Sequence, residues 1–164
     1  MDEPSIAQEM RRDVPTVTPG DTVATVARLL VETGLPGIPV VRDGALVGIV
    51  TESDIVARQA DVDAPAQIPF LDAVFRLDAG RSFGEELRHV LGVTVDDVMT
   101  HPVYSVTTDA TIGQIATLMI DKHLNPVPIL DAQHRIVGIV TRADLVRIIA
   151  RLEDDGAERP APAG

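Results

Sequence analysis

Apolar and polar positions along this chain fall into short runs that define local elements. Residues 14–18 read as a strand, and Pro19, Gly20 and Asp21 then turn the chain. Val23, Val26, Ala27 and Leu30 follow at i, i+3, i+4 and i+7, the single apolar stripe of a helix lying on a sheet. Asp21 or Thr22 offers the N-cap and Gly34 the stop. Two apolar runs, 38–41 and 46–50, flank Arg42-Asp43-Gly44-Ala45, which predicts a hairpin turning on Asp-Gly. A second helix opens near Thr51.

The whole pattern then returns. Residues 5–43 align without a gap onto 94–132 at an offset of 89, pairing Met10 with Met99, Thr22 with Thr111 and Pro39 with Pro128. Gly48-Ile49-Val50-Thr51-x-x-Asp54 recurs as Gly138-Ile139-Val140-Thr141-x-x-Asp144, after one extra residue in the second hairpin turn. The second copy carries its helical stripe on Ile112, Ile115, Ala116 and Met119, its last strand over 136–140 and its closing helix over 144–151. A unit of this length present twice is a duplicated half-domain rather than a solenoid, whose repeats are short and numerous. Each copy reads as strand, helix, strand, strand, helix, preceded by a leader of one or two helical turns at 5–10 and 94–99.

Four segments result: a first repeat with its leader (5–57), an insert of loop and short helices (58–93), a second repeat with its leader (94–152) and a disordered tail (153–164). Within the insert, 57–69 reads as loop, and 70–77 and 85–91 as helical turns. The three phenylalanines, Phe70, Phe75 and Phe83, all lie there. In a chain with 2% aromatics that clustering implies a packed segment. The fold class is α+β, a mixed αβ arrangement of two small repeats sharing one core, because a half-domain of about 50 residues buries little alone.

Composition narrows the function. A net charge of −11 opposes DNA, RNA or an anionic membrane as partner. No cysteine is present, which removes disulfides, thiolate catalysis and cysteine zinc sites. The start lacks a signal-peptide pattern and no apolar run approaches a membrane span, so a cytoplasmic location is expected. His89, His101, His123 and His134 show no metal-pair spacing, and Asp61 with Asp63, or Asp96 with Asp97, read as solvated or capping acids, so no metal is expected. No Walker loop, G-x-G-x-x-G, nucleophile or acid/base pair appears, so the chain is not expected to be an enzyme or to hold a catalytic cofactor.

The unit that ends in Gly-Ile-Val-Thr-x-x-Asp after an apolar-Pro-apolar strand resembles the CBS domain, and two in tandem resemble a CBS pair, or Bateman module, of the small standalone bacterial kind. The resemblance implies two βαββα repeats packed as a pseudo-two-fold pair. It also implies a non-catalytic regulatory homodimer that takes AMP, ADP, ATP or S-adenosylmethionine in clefts between the repeats and signals to a separate effector protein. Carried over by motif, it assigns Pro15, Leu35, Pro36, Gly37, Ile49, Thr51 and Asp54 to one site. Tyr104, Leu124, Asn125, Pro126, Ile139, Thr141 and Asp144 form the other.

These residue types suit such a ligand. One ionised Asp accepts from both hydroxyls of a ribose, and a helix N-terminus with a Thr hydroxyl receives phosphate. Thr-x-x-Asp is equally a capping box, which satisfies only the helix's own first amides. If capping is all it does, the chain is a ligand-free dimerisation adaptor. The two sites are expected to differ. Arg142 follows Thr141 as a phosphate partner and Tyr104 offers a stacking surface, whereas Glu52 follows Thr51 and repels phosphate. The Asp144 site is therefore expected to be the better nucleotide site. Where related modules carry Arg or His before the apolar-Pro strand, this chain has Pro36-Gly37 and Asn125-Pro126, leaving Lys122, His123, Arg11 or Arg12 to substitute.

Overall fold

A computed structural model describes residues 5–60 and 93–157. The insert's phenylalanines and loop beyond residue 60 lie outside the described residues. Contacts divide the chain into two compact units, residues 14–104 and residues 1–13 with 105–164.

In the first unit, α1 (Val23–Thr33) leads to β1 (Gly37–Arg42), β2 (Ala45–Thr51) and α2 (Glu52–Ala60), and the second leader contributes the single turn α3 (Val95–Val98). Thr22, not Asp21, caps α1, its side chain accepting from the Thr25 amide; Gly34 ends the helix at φ 66°, a left-handed conformation that glycine adopts without steric cost. The expected strand at 14–18 is reduced to one parallel bridge, Val17 to Val40. Pro15 and Pro19 have no N–H to give a longer ladder. Asp43 and Gly44 take φ 51° and 81°, the two positive values that a tight hairpin between β1 and β2 demands. Helix α2 runs through Ala60, four residues into the stretch expected as loop from residue 57.

In the second unit, β3 (Val106–Thr107), β4 (Val127–Leu130) and β5 (Ile136–Val140) form a three-stranded sheet in that order, β3 parallel and β5 antiparallel to β4. Helix α4 (Ile112–Asp121) starts at a complete capping box between Thr111 and Gln114 and buries Ile112, Ile115 and Met119 as its stripe requires. Helix α5 (Arg142–Ala157) continues past the expected end at 151, so 153–157 is helix rather than disordered tail. Leu145, Ile148, Ile149 and Leu152 continue the helical apolar spacing to the edge of that segment.

Each leader packs with the copy from which it is distant in sequence. Ile6, fully buried, and Met10 join the second unit's core of Ile115, Met119, Val127, Ile129, Val140 and Leu145. Burying a side chain such as Ile6 contributes about 1.5–3 kcal/mol. The amide of Ile6 donates to the Ala110 carbonyl at 3.1 Å, and Arg11 exchanges backbone hydrogen bonds with Ile139 at 3.0 and 2.9 Å. The second leader does the same in the first unit: Val95 donates to the Asp21 carbonyl at 2.8 Å, and Thr100 exchanges bonds with Ile49 at 2.8 and 3.1 Å. The sequence repeats thus run leader-first, whereas each compact unit joins one repeat's body to the other's leader.

Candidate functional site

Each unit builds the same site at the start of its closing helix, beginning with a glycine. A Cβ placed on Gly138 would collide with Met10 Sδ, and one on Gly48 with Met99 Sδ. The missing side chain therefore lets a leader methionine seat on the last strand. The next leader residue, Arg11 or Thr100, then bridges to the strand residue that follows, Ile139 or Ile49. That residue lies two positions before the Thr that opens the motif.

At Asp144, Oδ2 accepts the Thr141 amide at 3.0 Å and the Thr141 hydroxyl at 2.8 Å, while the Asp144 amide donates to Thr141 Oγ1 at 3.1 Å. Arg11 reaches across with Nε at 3.1 and 3.0 Å from Oδ1 and Oδ2 and Nη2 at 3.0 Å from Oδ1. Arg147 adds Nη1 at 2.8 Å from Oδ1. A carboxylate has about four lone-pair positions, so this one is saturated. Asp144 and Thr141 are the buried polar residues among those described, 3% and 4% exposed, while the Arg11 and Arg147 side chains remain 43% and 69% exposed. Burial raises the Asp144 pKa, but hydrogen bonds from Arg11, from the Thr141 amide and hydroxyl and from Arg147 outweigh it and lower the carboxyl to about 2.

At Asp54 the reciprocal cap is identical in plan. Oδ2 accepts the Thr51 amide at 2.7 Å and hydroxyl at 2.9 Å, and the Asp54 amide donates to Thr51 Oγ1 at 3.3 Å. Oδ1 meets a neutral donor instead of two cations: the Thr100 hydroxyl, at 3.3 Å. Thr100 and Arg11 occupy the same place in the repeat, 89 residues apart. Pro36 and Asn125, equivalent under the offset of 89, also play one role in both copies. The Glu52 amide donates to the Pro36 carbonyl at 3.0 Å, and the Arg142 amide to Asn125 Oδ1 at 3.0 Å.

The other expected site residues divide by unit. Pro15, Leu35, Pro36, Gly37 and Ile49 lie in the unit of Thr51 and Asp54, with Leu35, Gly37 and Ile49 buried. Leu124, Asn125, Pro126, Ile139 and Arg142 lie in the unit of Thr141 and Asp144, whereas Tyr104 is the last residue of the first unit and is half exposed. Arg142 Nη2 donates to the Met119 carbonyl in α4, 3.3 Å away, and the cations at the Asp144 carboxylate are Arg11 and Arg147. In the sequence Arg11 stood only as one of several basic residues, with no spacing that ties it to Asp144; for Arg147 the signal was its i+3 position after Asp144. Among the described residues no group of three or more His, Cys, Asp or Glu gathers as a metal site, and no helix is long and apolar enough to cross a membrane.

The CBS domain family model matches residues 5–61 and 95–151. The chain is 33% identical over 132 residues to protein MJ1426 of Methanocaldococcus jannaschii, covering 76% of this chain and 79% of the relative. Other curated relatives are longer, and the chain spans 45% and 43% of two of them. The crystal structure of Arabidopsis thaliana CBSX2 in complex with AMP superposes with a TM-score of 0.67 at 23% identity, over 91% of this chain and 98% of that one. The CBS domain pair of protein MJ0100, in complex with 5′-methylthioadenosine and S-adenosyl-L-methionine, gives 0.67 at 21% identity, over 92% and 99%. At these identities the two likenesses establish the fold.

Proposed function

This chain belongs to the CBS domain family, and from that membership we propose that it is a non-catalytic regulatory module. It binds an adenosine-containing ligand, AMP, ADP, ATP or S-adenosylmethionine, through the Thr-x-x-Asp helix starts of its two units. The observation that carries this reading is a division of labour within each carboxylate. In both copies Oδ2 accepts from the Thr at the helix start and Oδ1 accepts from a leader side chain, Thr100 or Arg11; at Asp144 Arg11 also touches Oδ2, and Arg147 of α5 joins it on Oδ1. An oxygen that takes a side-chain hydroxyl at 3.3 Å can take a ribose hydroxyl in its place. Solved CBS-pair relatives bound to AMP, and to methylthioadenosine with S-adenosylmethionine, supply the ligand class.

Charge separates the sites. Arg11 and Arg147 at Asp144 favour a phosphorylated ligand, and Glu52 with neutral Thr100 at Asp54 favours a less anionic adenosyl ligand. As a regulator, the chain would act as a homodimer on an effector protein in trans. Val146 and Ile149, exposed along α5, give apolar surface for such association.

One observation favours the ligand-free adaptor: both Thr–Asp pairs are complete reciprocal caps, and Asp144 has no lone pair to spare. A thermal-shift panel with AMP, ADP, ATP and S-adenosylmethionine separates the readings. A ligand at 100 times its dissociation constant adds about 2.7 kcal/mol of stability. A shift from at least one is expected; no shift from any at millimolar concentration leaves the adaptor.

A further inference from the structure

We propose that Arg11 is a latch on Asp144 that makes this site selective for a phosphorylated adenosine ligand: the ligand's ribose displaces the guanidinium, which then pairs with the ligand's phosphate. The inference rests on the proposed adenosine-ligand reading and deepens it.

Three observations lead here. First, the Asp144 carboxylate is saturated, so a sugar gains Oδ1 only if a present donor leaves. The Thr141 amide and hydroxyl are bound into the start of α5 and cannot leave without opening the cap. Of the two arginines, Arg147 touches Oδ1 through one nitrogen, whereas Arg11 covers both oxygens through Nε and Nη2, so it is the departure of Arg11 that clears the carboxylate; 43% of its side chain is already in solvent, and it can swing away while its backbone stays stapled to Ile139. Second, releasing a guanidinium from a buried carboxylate is unfavourable unless it finds another anion. A neutral nucleoside offers none. A nucleotide brings one on the same molecule as the hydroxyls that take over Asp144, and Arg pairs with phosphate through two parallel N–H···O bonds. Third, the duplicated site supplies an internal control. At the equivalent position Thr100 makes a single 3.3 Å contact to Asp54 with no charge to relocate. The Asp54 site is therefore open to uncharged adenosyl groups, and the difference between the copies resides in one leader residue.

The test is a solution NMR titration of the full chain with AMP and, separately, with adenosine. The amides of Thr141 and Asp144 report one site and those of Thr51 and Asp54 the other. Wild type is expected to bind AMP at least about tenfold more tightly than adenosine at the Asp144 reporters. Arg11→Thr, which copies the other leader, is expected to bring that ratio to within about threefold, while Arg11→Lys keeps most of it; the ratio at the Asp54 reporters stays unchanged throughout. A purely structural role for Arg11 would alter both affinities together and leave the ratio in place. If both ligands bind and Arg11→Thr retains the wild-type ratio, the latch is overturned and adenosine binding stands. If neither ligand moves either set of reporters in wild type, the adenosine reading fails and the latch fails with it. Should Arg11→Thr not fold, a ratio for Arg11→Lys equal to wild type at low salt but collapsing at high salt supports the charge exchange, and a salt-independent ratio contradicts it.

Discussion

Arg11 and Asp144, 133 positions apart in sequence, are joined by a two-pronged ion pair with N–O distances of 3.0–3.1 Å. The pair ties the first leader to the last helix and sits on the carboxylate that we propose receives the ligand. On that proposal, stability and binding pass through the same two side chains.

Acid should expose this coupling. Asp144 has its pKa lowered from 3.8 to about 2 in the folded state, so its ionised form stabilises the fold at every pH above the unfolded value. That contribution is lost as pH falls from about 4 through about 2. Solvent screening of the two arginines limits it to the order of 1–2 kcal/mol. Urea unfolding at pH 6, 4, 3 and 2 should show the decline, and Asp144→Asn should flatten that part of the curve while lowering stability at pH 6.

The two aspartates should not be equivalent to mutation. Asp54→Ala removes a cap and one weak side-chain contact and is expected to cost about 1 kcal/mol. Asp144→Ala removes a cap and the counter-charge of two arginines and is expected to cost about 2–3 kcal/mol. Chemical denaturation of both variants compares them directly.

Gly138 has no room for a methyl group. Beyond Met10 Sδ, its Cβ would lie 3.2 Å from the Arg11 carbonyl oxygen, a backbone atom held by the Ile139 amide. Gly138→Ala is expected to destabilise by about 1–3 kcal/mol. Gly48→Ala meets side-chain atoms of Met99 alone and should cost less, a ranking that paired melting curves will reveal.

The exchange of leaders makes a local prediction. Ile6→Ala should cost about 2–4 kcal/mol, because it hollows the second unit's core. Amide exchange should accelerate first at Ile139 and Ile6, whose hydrogen bonds hold the leader, and not at Ile49 and Thr100 in the other unit. Acceleration at Ile49 instead would mean that the leader belongs with its own repeat.

Much of this was legible in the residues. The stripe on Val23, Val26, Ala27 and Leu30, the Asp43-Gly44 hairpin and the two Thr-x-x-Asp starts follow from local stereochemistry, and local stereochemistry is what sequence spacing encodes. The leader exchange was not legible, because copies this similar offer Met10 and Met99 equivalent glycine seats, Gly48 and Gly138, and nothing local chooses between them. The side-chain partner of Arg142 was not legible for a related reason. The place of Arg142 after Thr141 fixes its backbone at the helix start, but a long side chain selects its partner among tertiary acceptors, here the Met119 carbonyl. Arg11 was visible only as one of several basic residues until the fold brought it to Asp144.

The most direct test of the central claim is calorimetric titration of AMP into wild type and into the Asp54→Ala/Asp144→Ala double variant, both verified as folded. Binding by wild type and its loss by at least about tenfold in the double variant is the expected result. Equal binding by the two proteins would contradict the account, since the ligand would then be held without either carboxylate.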